Sequence, residues 1–251
     1  MRKTSMRNRN EPVYRHELKY LINEGEKEAL KSRIGTLLAL DGHAGEGGYM
    51  IRSLYFDDMW DSAYAEKNMG VMSRCKYRIR IYDCSDHVIR LERKKKVGSY
   101  ICKESAPLTR EETERLIDGE YDFLLGSDEP LCREFYIDCA ARMMRPRVIV
   151  DYEREPFVMA HGTVRVTFDS HVRAALLSRD LFDPLLPSLE ALEPGMVVME
   201  VKFTEFLPKL VQELLPPRAA EFTALSKYVL CYERTRYLNG WGYWEEEGGA
   251  V

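Results

Sequence analysis

Hydrophobic and polar residues alternate most regularly between residues 74 and 96, in the segment RCKYRIRIYDCSDHVIRLERKKK. The alternation predicts two strands joined by a polar turn from Asp83 to His87. Successive side chains of a strand point to opposite faces, so one face of the first strand is basic and the other is apolar. The basic face consists of Lys76, Arg78, Arg80 and Tyr82, and the apolar face consists of Cys75, Tyr77, Ile79 and Ile81.

The second strand of this hairpin has the same two-sided pattern. Its charged face is formed by Glu92, Lys94 and Lys96, and its apolar face is formed by Ile89 and Leu91. Arg93 and Lys95 follow on the apolar side, and we expect both to extend into solvent. Like charges on neighbouring strands repel each other, which indicates that an anion binds between them. A merely solvated charged face remains the alternative.

At least five strands are predicted to have ionisable residues on one face and hydrophobic residues on the other. Besides the hairpin, the predicted strands are 14–22, 49–57, 99–105, 146–155, 162–170 and 196–203. In 196–203, for example, Glu200 and Lys202 lie opposite Met199, Val201 and Phe203.

Helical spacing of apolar residues predicts the remaining elements. We expect helices from an Asn23 cap to about Leu40, over 59–69, from Thr109 to Ile117, over 130–144, over 207–215, and from a Thr223 cap to Leu238. Glu112 stands at the capping-box position relative to Thr109. The expected buried side of the 130–144 helix is Leu131, Phe135, Ile137, Cys139 and Met143.

Two arrangements would satisfy these patterns. In an ordinary sandwich the polar face of each strand points to solvent. If the sheet instead closes into a barrel with helices on its apolar exterior, the charged faces converge around a ligand. The abundance of Arg and Lys on these faces favours the barrel. It predicts that Lys76 or its neighbours Arg78 and Arg80, with Lys94, Arg165 and Lys202, line one cavity.

The distribution of charge sharpens this picture. The chain contains 37 Lys and Arg against 41 Asp and Glu, a formal net charge of −4. Residues 74–103 contain ten of the basic residues and three of the acidic ones, so this segment is strongly basic within an acidic protein. A basic, strand-lined cavity suits a multiply charged, oxygen-rich anion such as polyphosphate or a nucleoside triphosphate, because Arg and Lys bind phosphate oxygens.

The length of 251 residues allows one large domain, which we place at 13–239, between a disordered basic arm (1–12) and a flexible tail (240–251). No stretch reaches the ~20 apolar residues of a membrane span, and the first residues lack a secretory signal, so we expect a cytoplasmic location. The six cysteines show no C-x-x-C pair and predict reduced thiols. Phosphate-binding loops of the P-loop and Rossmann types are absent from the sequence.

A carboxylate within a basic cavity has two explanations. Glu200 and Glu92 could hold Mg²⁺ or Mn²⁺, which bind carboxylate and phosphate oxygens together. Alternatively they only form ion pairs with Lys202 and Lys94, and the spacing does not decide between these interpretations. For Asp57 and Asp58, turn formation is favoured over metal binding.

Eight segments together resemble the polyphosphate polymerase domain of the vacuolar transporter chaperone (VTC) family, in its short bacterial form, within the CYTH-like triphosphate tunnel metalloenzyme superfamily. They are RHELKYLI (15–22), RSLYFDD (52–58), KYRIRIY (76–82), LERKKK (91–96), DYERE (151–155), VRVTFD (164–169), MEVKF (199–203) and LSKYVLCYER (225–234). The resemblance extends from about Tyr14 to Tyr237.

The resemblance implies an α+β fold with a closed eight-stranded antiparallel barrel, a triphosphate tunnel with helices packed on its outside. It implies catalytic roles for Arg78, Arg80, Lys94, Arg165 and Lys202 at the transferred phosphate. It implies phosphate or nucleotide binding by Lys19, Lys103, Tyr152, Arg154, Ser226 and Lys227. Glu200 would hold Mn²⁺ or Mg²⁺.

One position departs from the wider superfamily, whose hydrolases begin with E-x-E-x-K. Here Arg15 replaces the first Glu and leaves Glu17 and Lys19. The loss of one carboxylate weakens the case for metal-dependent hydrolysis and favours transfer to phosphate.

Three functions follow as hypotheses. The first is a polymerase that transfers the γ-phosphoryl of ATP to a polyphosphate or pyrophosphate primer. The second is a triphosphatase, and the third is a non-catalytic module that binds polyphosphate or RNA ends. We expect no sequence-specific nucleic acid as a partner, and we expect membrane association to require a membrane-protein partner.

Overall fold

The computed structural model describes residues 15–45, 47–98, 100–159, 164–216 and 225–238. Its strands are β1 (His16–Asn23), β2 (Leu38–Leu40), β3 (Tyr49–Asp57), β4 (Ser73–Tyr82), β5 (Ser85–Val97), β6 (Tyr100–Pro107), β7 (Arg145–Met159), β8 (Val164–Ala175), β9 (Ser188–Glu190) and β10 (Met196–Phe203). Its α-helices are α1 (Glu24–Ile34), α2 (Ser62–Asn68), α3 (Arg110–Ile117), α4 (Pro130–Arg142), α5 (Lys209–Leu214) and α6 (Lys227–Thr235), and a short 3-10 helix covers Asp122–Gly126.

One antiparallel sheet contains all ten of these strands. Eight of them form a continuous path in the order β1, β10, β8, β7, β3, β4, β5, β6. The short strands β2 and β9 pair with β7 and β8 beside this path. The α+β class with an antiparallel sheet is therefore confirmed. β2 and β9 were not predicted, since three-residue strands show too little alternation to be recognised.

The expected closed barrel is not confirmed, because the path has two ends, β1 and β6. These end strands approach each other at one isolated bridge, in which Arg15 and Ile101 exchange backbone hydrogen bonds of 3.1 and 3.2 Å. The sheet therefore curls until its edges touch, without a continuous ladder between them. Periodicity along a strand shows which residues share a face, but it does not show how far two edge strands run together.

Strand register places the charged residues on a common face, since residues directly opposite each other in a sheet face the same side. Lys76 lies opposite Lys94, which in turn lies opposite Lys103. At the other edge of the sheet, Lys19 lies opposite Glu200. The alternation predicted from the sequence is thus confirmed, and the curl of the sheet turns this face inward.

Hydrophobic side chains pack mainly between the outer face of the sheet and the helices. The 3-10 helix, α3 and α4 cover β3 to β6, where Ile79 and Leu91 are fully buried. Helices α1 and α5 cover β1, β8 and β10, where Val166 and Val201 are fully buried. A third cluster lies between α6 and strands β3, β7 and β8, and Tyr228 belongs to it.

The hairpin that connects β4 and β5 is tighter than predicted. Its turn consists of Asp83 and Cys84, both with positive φ (50° and 53°), and β5 begins at Ser85. Two-residue turns with positive φ at both positions match the right-handed twist of the flanking strands. This turn fixes the register that aligns the basic faces of the two strands.

Several helix predictions are corrected in detail. Helix α1 has the Asn23 cap and a capping box with Glu26, but it ends at Ile34 rather than near Leu40. Ile137 of α4 is exposed (61%) because it does not share the face of the buried Phe135. Met143 is exposed (55%) because α4 ends at Arg142 and Met143 caps it with a positive φ of 51°. The Thr109 to Ile117 helix and its capping box with Glu112 are confirmed.

The last helix and the outer face of β5 also differ from expectation. Helix α6 begins after Ser226, whose side chain caps it, whereas the expected cap Thr223 lies outside the described residues. Arg93 does not extend into solvent: it is 4% exposed and donates to Glu104 and to the hydroxyl of Tyr77. Sequence periodicity does not show these contacts, because these partners of Arg93 lie on other strands.

The six cysteines are free thiols, as predicted. Within the described ranges, no helix has the length and apolar content needed to cross a membrane. The expected arm 1–12 and tail 240–251 lie outside the described residues.

Candidate phosphate-binding site

The inward face of the sheet surrounds a cavity of about 250 Å³. Ten of the twelve side chains predicted to form a site line it: Lys19, Arg78, Arg80, Lys94, Tyr152, Arg154, Glu200, Lys202, Ser226 and Lys227. They come from five strands of the sheet and from the start of α6. The residues predicted from alternation and from the family resemblance therefore lie together in a single site, although they are spread over more than 200 residues of chain.

The other two predicted residues, Lys103 and Arg165, are not among the lining residues. Lys103 reaches the site indirectly, since it donates a 2.7 Å hydrogen bond to Glu92, which also pairs with Arg78. Arg165 lies opposite Lys202 in the sheet, but its side chain turns to Asp41 (2.9 Å) and to the hydroxyl of Tyr49 (3.2 Å). The role predicted for Arg165 stays a prediction.

Glu200 is the most heavily engaged carboxylate of the cavity. Lys19 and Lys227 contact its Oε1 at 3.2 and 3.0 Å. Lys202 and Arg154 contact its Oε2 at 2.7 and 3.5 Å. Burial raises the pKa of Glu200, but the four cations together hold it well below its ordinary value. Glu200 is therefore ionised and holds four basic side chains in place.

A second carboxylate, Asp169, supports this cluster from β8. Both of its oxygens accept hydrogen bonds from Arg154, at 2.6 and 2.7 Å, in the bidentate geometry that matches Arg to carboxylates. Lys227 contacts the same carboxylate at 2.6 Å. Asp169 is fully buried, and although burial raises its pKa, Arg154 and Lys227 lower it overall. This pairing orients the Arg154 guanidinium beside Glu200.

Glu92 organises the cations on the opposite part of the sheet. Arg78 donates to its Oε2 through Nε (2.8 Å) and Nη2 (2.6 Å), and Arg80 approaches the same oxygen at 3.9 Å. Burial raises the pKa of Glu92, but Arg78, Arg80 and Lys103 lower it overall. The structure thus supports the ion-pair interpretation of Glu92, with Arg78, Arg80 and Lys103 as its partners rather than Lys94.

Lys94 pairs instead with Glu17 of β1, with Nζ to Oε contacts of 2.8 and 3.1 Å. Lys19 contacts the same carboxylate at 3.2 Å and so links Glu17 to Glu200. Burial, which outweighs the attraction of Glu17, lowers the pKa of Lys94 to about 8. Lys94 consequently titrates close to neutral pH.

Three tyrosines complete the wall. The hydroxyl of Tyr152 accepts from Arg80 (2.9 Å), and that of Tyr55 accepts from Arg78 (2.9 Å). The Tyr228 ring stacks on Tyr55 with centroids 5.1 Å apart. These contacts fix the two guanidinium groups and reduce the side-chain entropy that phosphate binding would otherwise cost.

Sequence reasoning missed several lining residues. Tyr55 lies on the cavity face of β3, as the basic residues lie on that face of β4. Alternation along β3 could therefore have predicted it as a lining residue. Tyr228 and Lys67 lie on helices, where strand parity gives no information. Lys96 was placed on the charged face of the second strand and Arg74 lies two residues before Lys76, on the same face of β4, but neither was predicted to form the site.

The adjacent acidic pair Asp57 and Asp58 forms a turn, as favoured from the sequence. Asp57 accepts hydrogen bonds from the backbone of Asp58, Ala63 and Tyr64 and from the Tyr228 hydroxyl (2.6 Å). Asp58 accepts from the backbone of Trp60 and Ser62 and from Arg142. Both carboxylates are therefore engaged in holding the segment before α2 and the position of Tyr228.

The donor set of the cavity fits a divalent ion that arrives with phosphate. Mg²⁺ is commonly held by one or two carboxylates together with substrate phosphate oxygens. Glu17 and Glu200 lie on neighbouring strands, both face the cavity, and one ammonium group, that of Lys19, bridges them. Among the described residues no group of three His, Cys, Asp or Glu side chains is suited to a metal, so the protein would supply only part of the coordination.

The position at which the sequence departs from the hydrolase signature lies away from the cavity. Arg15 is exposed, is not among the lining residues, and contributes its backbone to the bridge with Ile101. Glu17 and Lys19, the remaining members of the signature, both line the cavity.

Comparisons with solved structures give distant similarities. A Pyrococcus horikoshii OT3 protein matches with 12% identity over 88% of this chain and 99% of its own, at a TM-score of 0.45. The mimivirus capping enzyme triphosphatase matches with 11% identity over 81% of this chain and 86% of its own, at a TM-score of 0.36. Both TM-scores are below 0.5, so the family assignment does not depend on them. No curated protein matches the chain.

A family model gives the decisive comparison. The VTC domain model matches residues 14–236, which include every strand and helix described above. The chain therefore belongs to the VTC domain family.

Proposed function

We propose that this protein is a metal-dependent polyphosphate polymerase, which transfers the γ-phosphoryl of ATP to the end of an inorganic polyphosphate or pyrophosphate primer. The observation that carries the proposal is the cavity itself, in which cations from opposite parts of the sheet face one another at distances set by buried carboxylates. Membership of the VTC domain family supports the choice of polyphosphate as the polyanion.

The curled sheet would act as a tunnel that binds the phosphate chain. Seven basic side chains would form its binding surface, namely Lys19, Arg78, Arg80, Lys94, Arg154, Lys202 and Lys227. Glu17, Glu92, Asp169 and Glu200 hold them, and Lys103 joins the set through its contact with Glu92. The excess of positive charge attracts the polyanion. The carboxylates keep the cations at fixed positions before the ligand arrives, which lowers the reorganisation required during the reaction.

The transfer step requires little covalent chemistry from the protein. A terminal oxygen of the primer attacks the γ-phosphorus of ATP, a new P–O bond forms, and the bond from that phosphorus to the β,γ-bridging oxygen breaks. ADP leaves with the electron pair of that bond. Arg78, Arg80 and Lys202 would neutralise the charge on the oxygens of the transferred group and hold the reactants in line.

Glu200, with Glu17 beside it, would hold a divalent ion, which would supply positive charge against the negative charge of the phosphates. Lys19 and Lys202 would then shift their contacts from these carboxylates to the phosphates. The ammonium groups of Lys19 and Lys202 would thus contact the phosphates, and Glu200 would keep a positively charged partner.

The departure at Arg15 supports transfer over hydrolysis. A hydrolase needs a group to activate water, and the first carboxylate of the superfamily's hydrolase signature is replaced here by an exposed Arg. The remaining Glu17 is held ionised by Lys94 and Lys19, which leaves it as a counter-ion for cations. Triphosphatase activity and non-catalytic binding are the alternatives that the following experiment separates.

The test incubates the purified protein with ATP, Mn²⁺ and pyrophosphate and resolves the products on a gel stained for polyphosphate. The proposal predicts a ladder of lengthening chains together with ADP. Release of inorganic phosphate without longer chains would replace the polymerase with a triphosphatase. Binding of tripolyphosphate without either product would identify a non-catalytic module.

A further inference from the structure

Four basic side chains line the end of the cavity at which β4 begins and β5 ends. They are Lys67 of α2, Arg74 and Lys76 of β4, and Lys96 of β5, and together they are called the basic rim below. Each is half-buried. The start of α6 lies against this end, since Lys76 donates a 3.0 Å hydrogen bond to Ser226.

The basic rim differs from the deeper part of the cavity in its counter-ions. Each deep cation contacts a carboxylate, as Lys94 contacts Glu17 and Lys202 contacts Glu200. Across the described ranges, no carboxylate oxygen comes within 4.0 Å of a side-chain nitrogen of the rim. The described contacts of the rim are with neutral groups. Lys76 contacts Ser226 and the Tyr228 ring, whose centroid is 4.8 Å from its Nζ, and Arg74 donates to the Val71 carbonyl at 2.8 Å.

The rim residues consequently repel one another. Burial lowers the pKa of Lys67 and of Lys96, and the charge of Arg74 lowers both further, although the more distant Glu17 offsets part of this effect on the pKa of Lys96. Burial also lowers the pKa of Lys76 well below its ordinary value, with the charges of Lys19 and Lys94 adding to the effect. Excess positive charge concentrated at the mouth of a cavity favours an anion there.

Arg165, which does not line the cavity, shows no such excess. It contacts Tyr49 at the start of β3, and the Tyr49 ring lies against Tyr82 at the end of β4. The charge of Arg165 is balanced by Asp41 at 2.9 Å. Among the described basic residues that line the cavity, those of the rim alone have no carboxylate partner, so the rim offers uncompensated cations to a polyanion.

We propose that the basic rim is a subsite for the part of a polyphosphate chain that extends beyond the deep cavity, so that the chain enters or leaves through the rim end. This inference rests on the proposed function. It adds that affinity increases with chain length because the additional phosphates contact Lys67, Arg74, Lys76 and Lys96. It also assigns a direction to the chain, with the outer phosphates at the start of β4 and away from Arg165.

The test compares two triple variants with the same change in net charge. The rim variant is Lys67→Gln/Arg74→Gln/Lys96→Gln, which spares the more central Lys76. The control variant is Lys95→Gln/Arg110→Gln/Arg115→Gln, which removes three outward-facing cations, one of them from the residue next to Lys96. Calorimetric titration with inorganic tripolyphosphate and with long-chain inorganic polyphosphate then measures affinity for each form, wild type included.

We expect the affinity of the rim variant for the long chain to be about tenfold lower or more, because the variant lacks charge-assisted contacts to the outer phosphates. Its affinity for tripolyphosphate should change by less than about twofold, and the control variant should bind both ligands like the wild type. Equal losses for the two ligands, or no loss for the long chain, would overturn the rim proposal while the wild type still bound both. Failure of the wild type to bind either ligand would overturn the proposed function as well. The single variant Lys96→Gln provides the same comparison if the triple variant does not fold.

Discussion

Replacing Glu200 by Gln separates its contacts with four cations, which the structure shows, from its proposed role in catalysis. Gln keeps the size and hydrogen bonding of the side chain but removes the charge that Lys19, Lys202, Lys227 and Arg154 contact. The free protein should therefore become less stable. Binding of a phosphate chain should survive or tighten, because a negative charge has left the cavity.

The size of the destabilisation follows from the partners that remain. Lys19 keeps Glu17, and both Lys227 and Arg154 keep Asp169, whereas Glu200 is the only described carboxylate within ion-pair distance of Lys202. Breaking a buried ion pair by removing one partner costs about 3–5 kcal/mol. Since one of four cations is left unpaired, the lower end, about 3 kcal/mol, is expected. For a chain of this size that is a decrease in Tm of roughly 6–12 °C.

The assay is thermal unfolding with and without inorganic tripolyphosphate. In the free state the variant should melt below the wild type, and saturating tripolyphosphate should raise its Tm by more than it raises that of the wild type. Turnover of ATP in the presence of Mn²⁺ should fall about a hundredfold or more, the usual cost of removing one preorganised electrostatic partner.

Glu104→Gln is the matched control. Glu104 lies on β6 outside the cavity, its side chain is 37% exposed, and its main partner Arg93 keeps a contact with Glu134. Its loss should cost little stability and leave the effect of tripolyphosphate unchanged. If Glu200→Gln retained full metal-dependent turnover, or gained no more from tripolyphosphate than the wild type does, the role given to Glu200 would be wrong.

Two further predictions concern binding. Arg78→Ala should weaken tripolyphosphate binding by about 1.5–3 kcal/mol, the contribution of a contact to a charged group, and titration calorimetry showing unchanged affinity would remove Arg78 from the binding surface. Because the pKa of Lys94 in the free protein is about 8, its charge is present below that pH and is lost above it, and bound phosphate would raise this pKa. Tripolyphosphate affinity should therefore fall as the pH rises through 8, and Lys94→Arg, which stays protonated, should flatten the profile; an equal pH dependence in both proteins would contradict this assignment.

Strand periodicity predicted the parts of the cavity wall that β4, β5 and β10 form, whereas the family resemblance supplied Lys19, Tyr152, Arg154, Ser226 and Lys227. The alternation in 76–82 placed Arg78 and Arg80 on one face, and the same rule placed Glu200 and Lys202 together on β10. Alternation is informative here because one face of each strand packs against helices and must be apolar. The charged residues therefore lie on the other face of the strand.

The parts that the sequence did not predict depend on contacts between distant segments. The pairing of Lys94 with Glu17 requires β1 and β5 to face each other across the curled sheet, and no local pattern specifies that. The side chain of Arg165 has the predicted parity, yet it turns to Asp41, which lies in a loop. Closure of the barrel was overestimated because parity is the same in an open and in a closed sheet.

The most direct test of the central claim is a time course of ³¹P nuclear magnetic resonance with the protein, ATP, Mg²⁺ and a pyrophosphate primer. It distinguishes inorganic phosphate, chain ends and internal chain phosphates in one sample. We predict that the internal phosphate signal grows in step with ADP while inorganic phosphate stays at its starting level. Growth of inorganic phosphate in step with ADP, without internal phosphates, would contradict the polymerase and identify a triphosphatase.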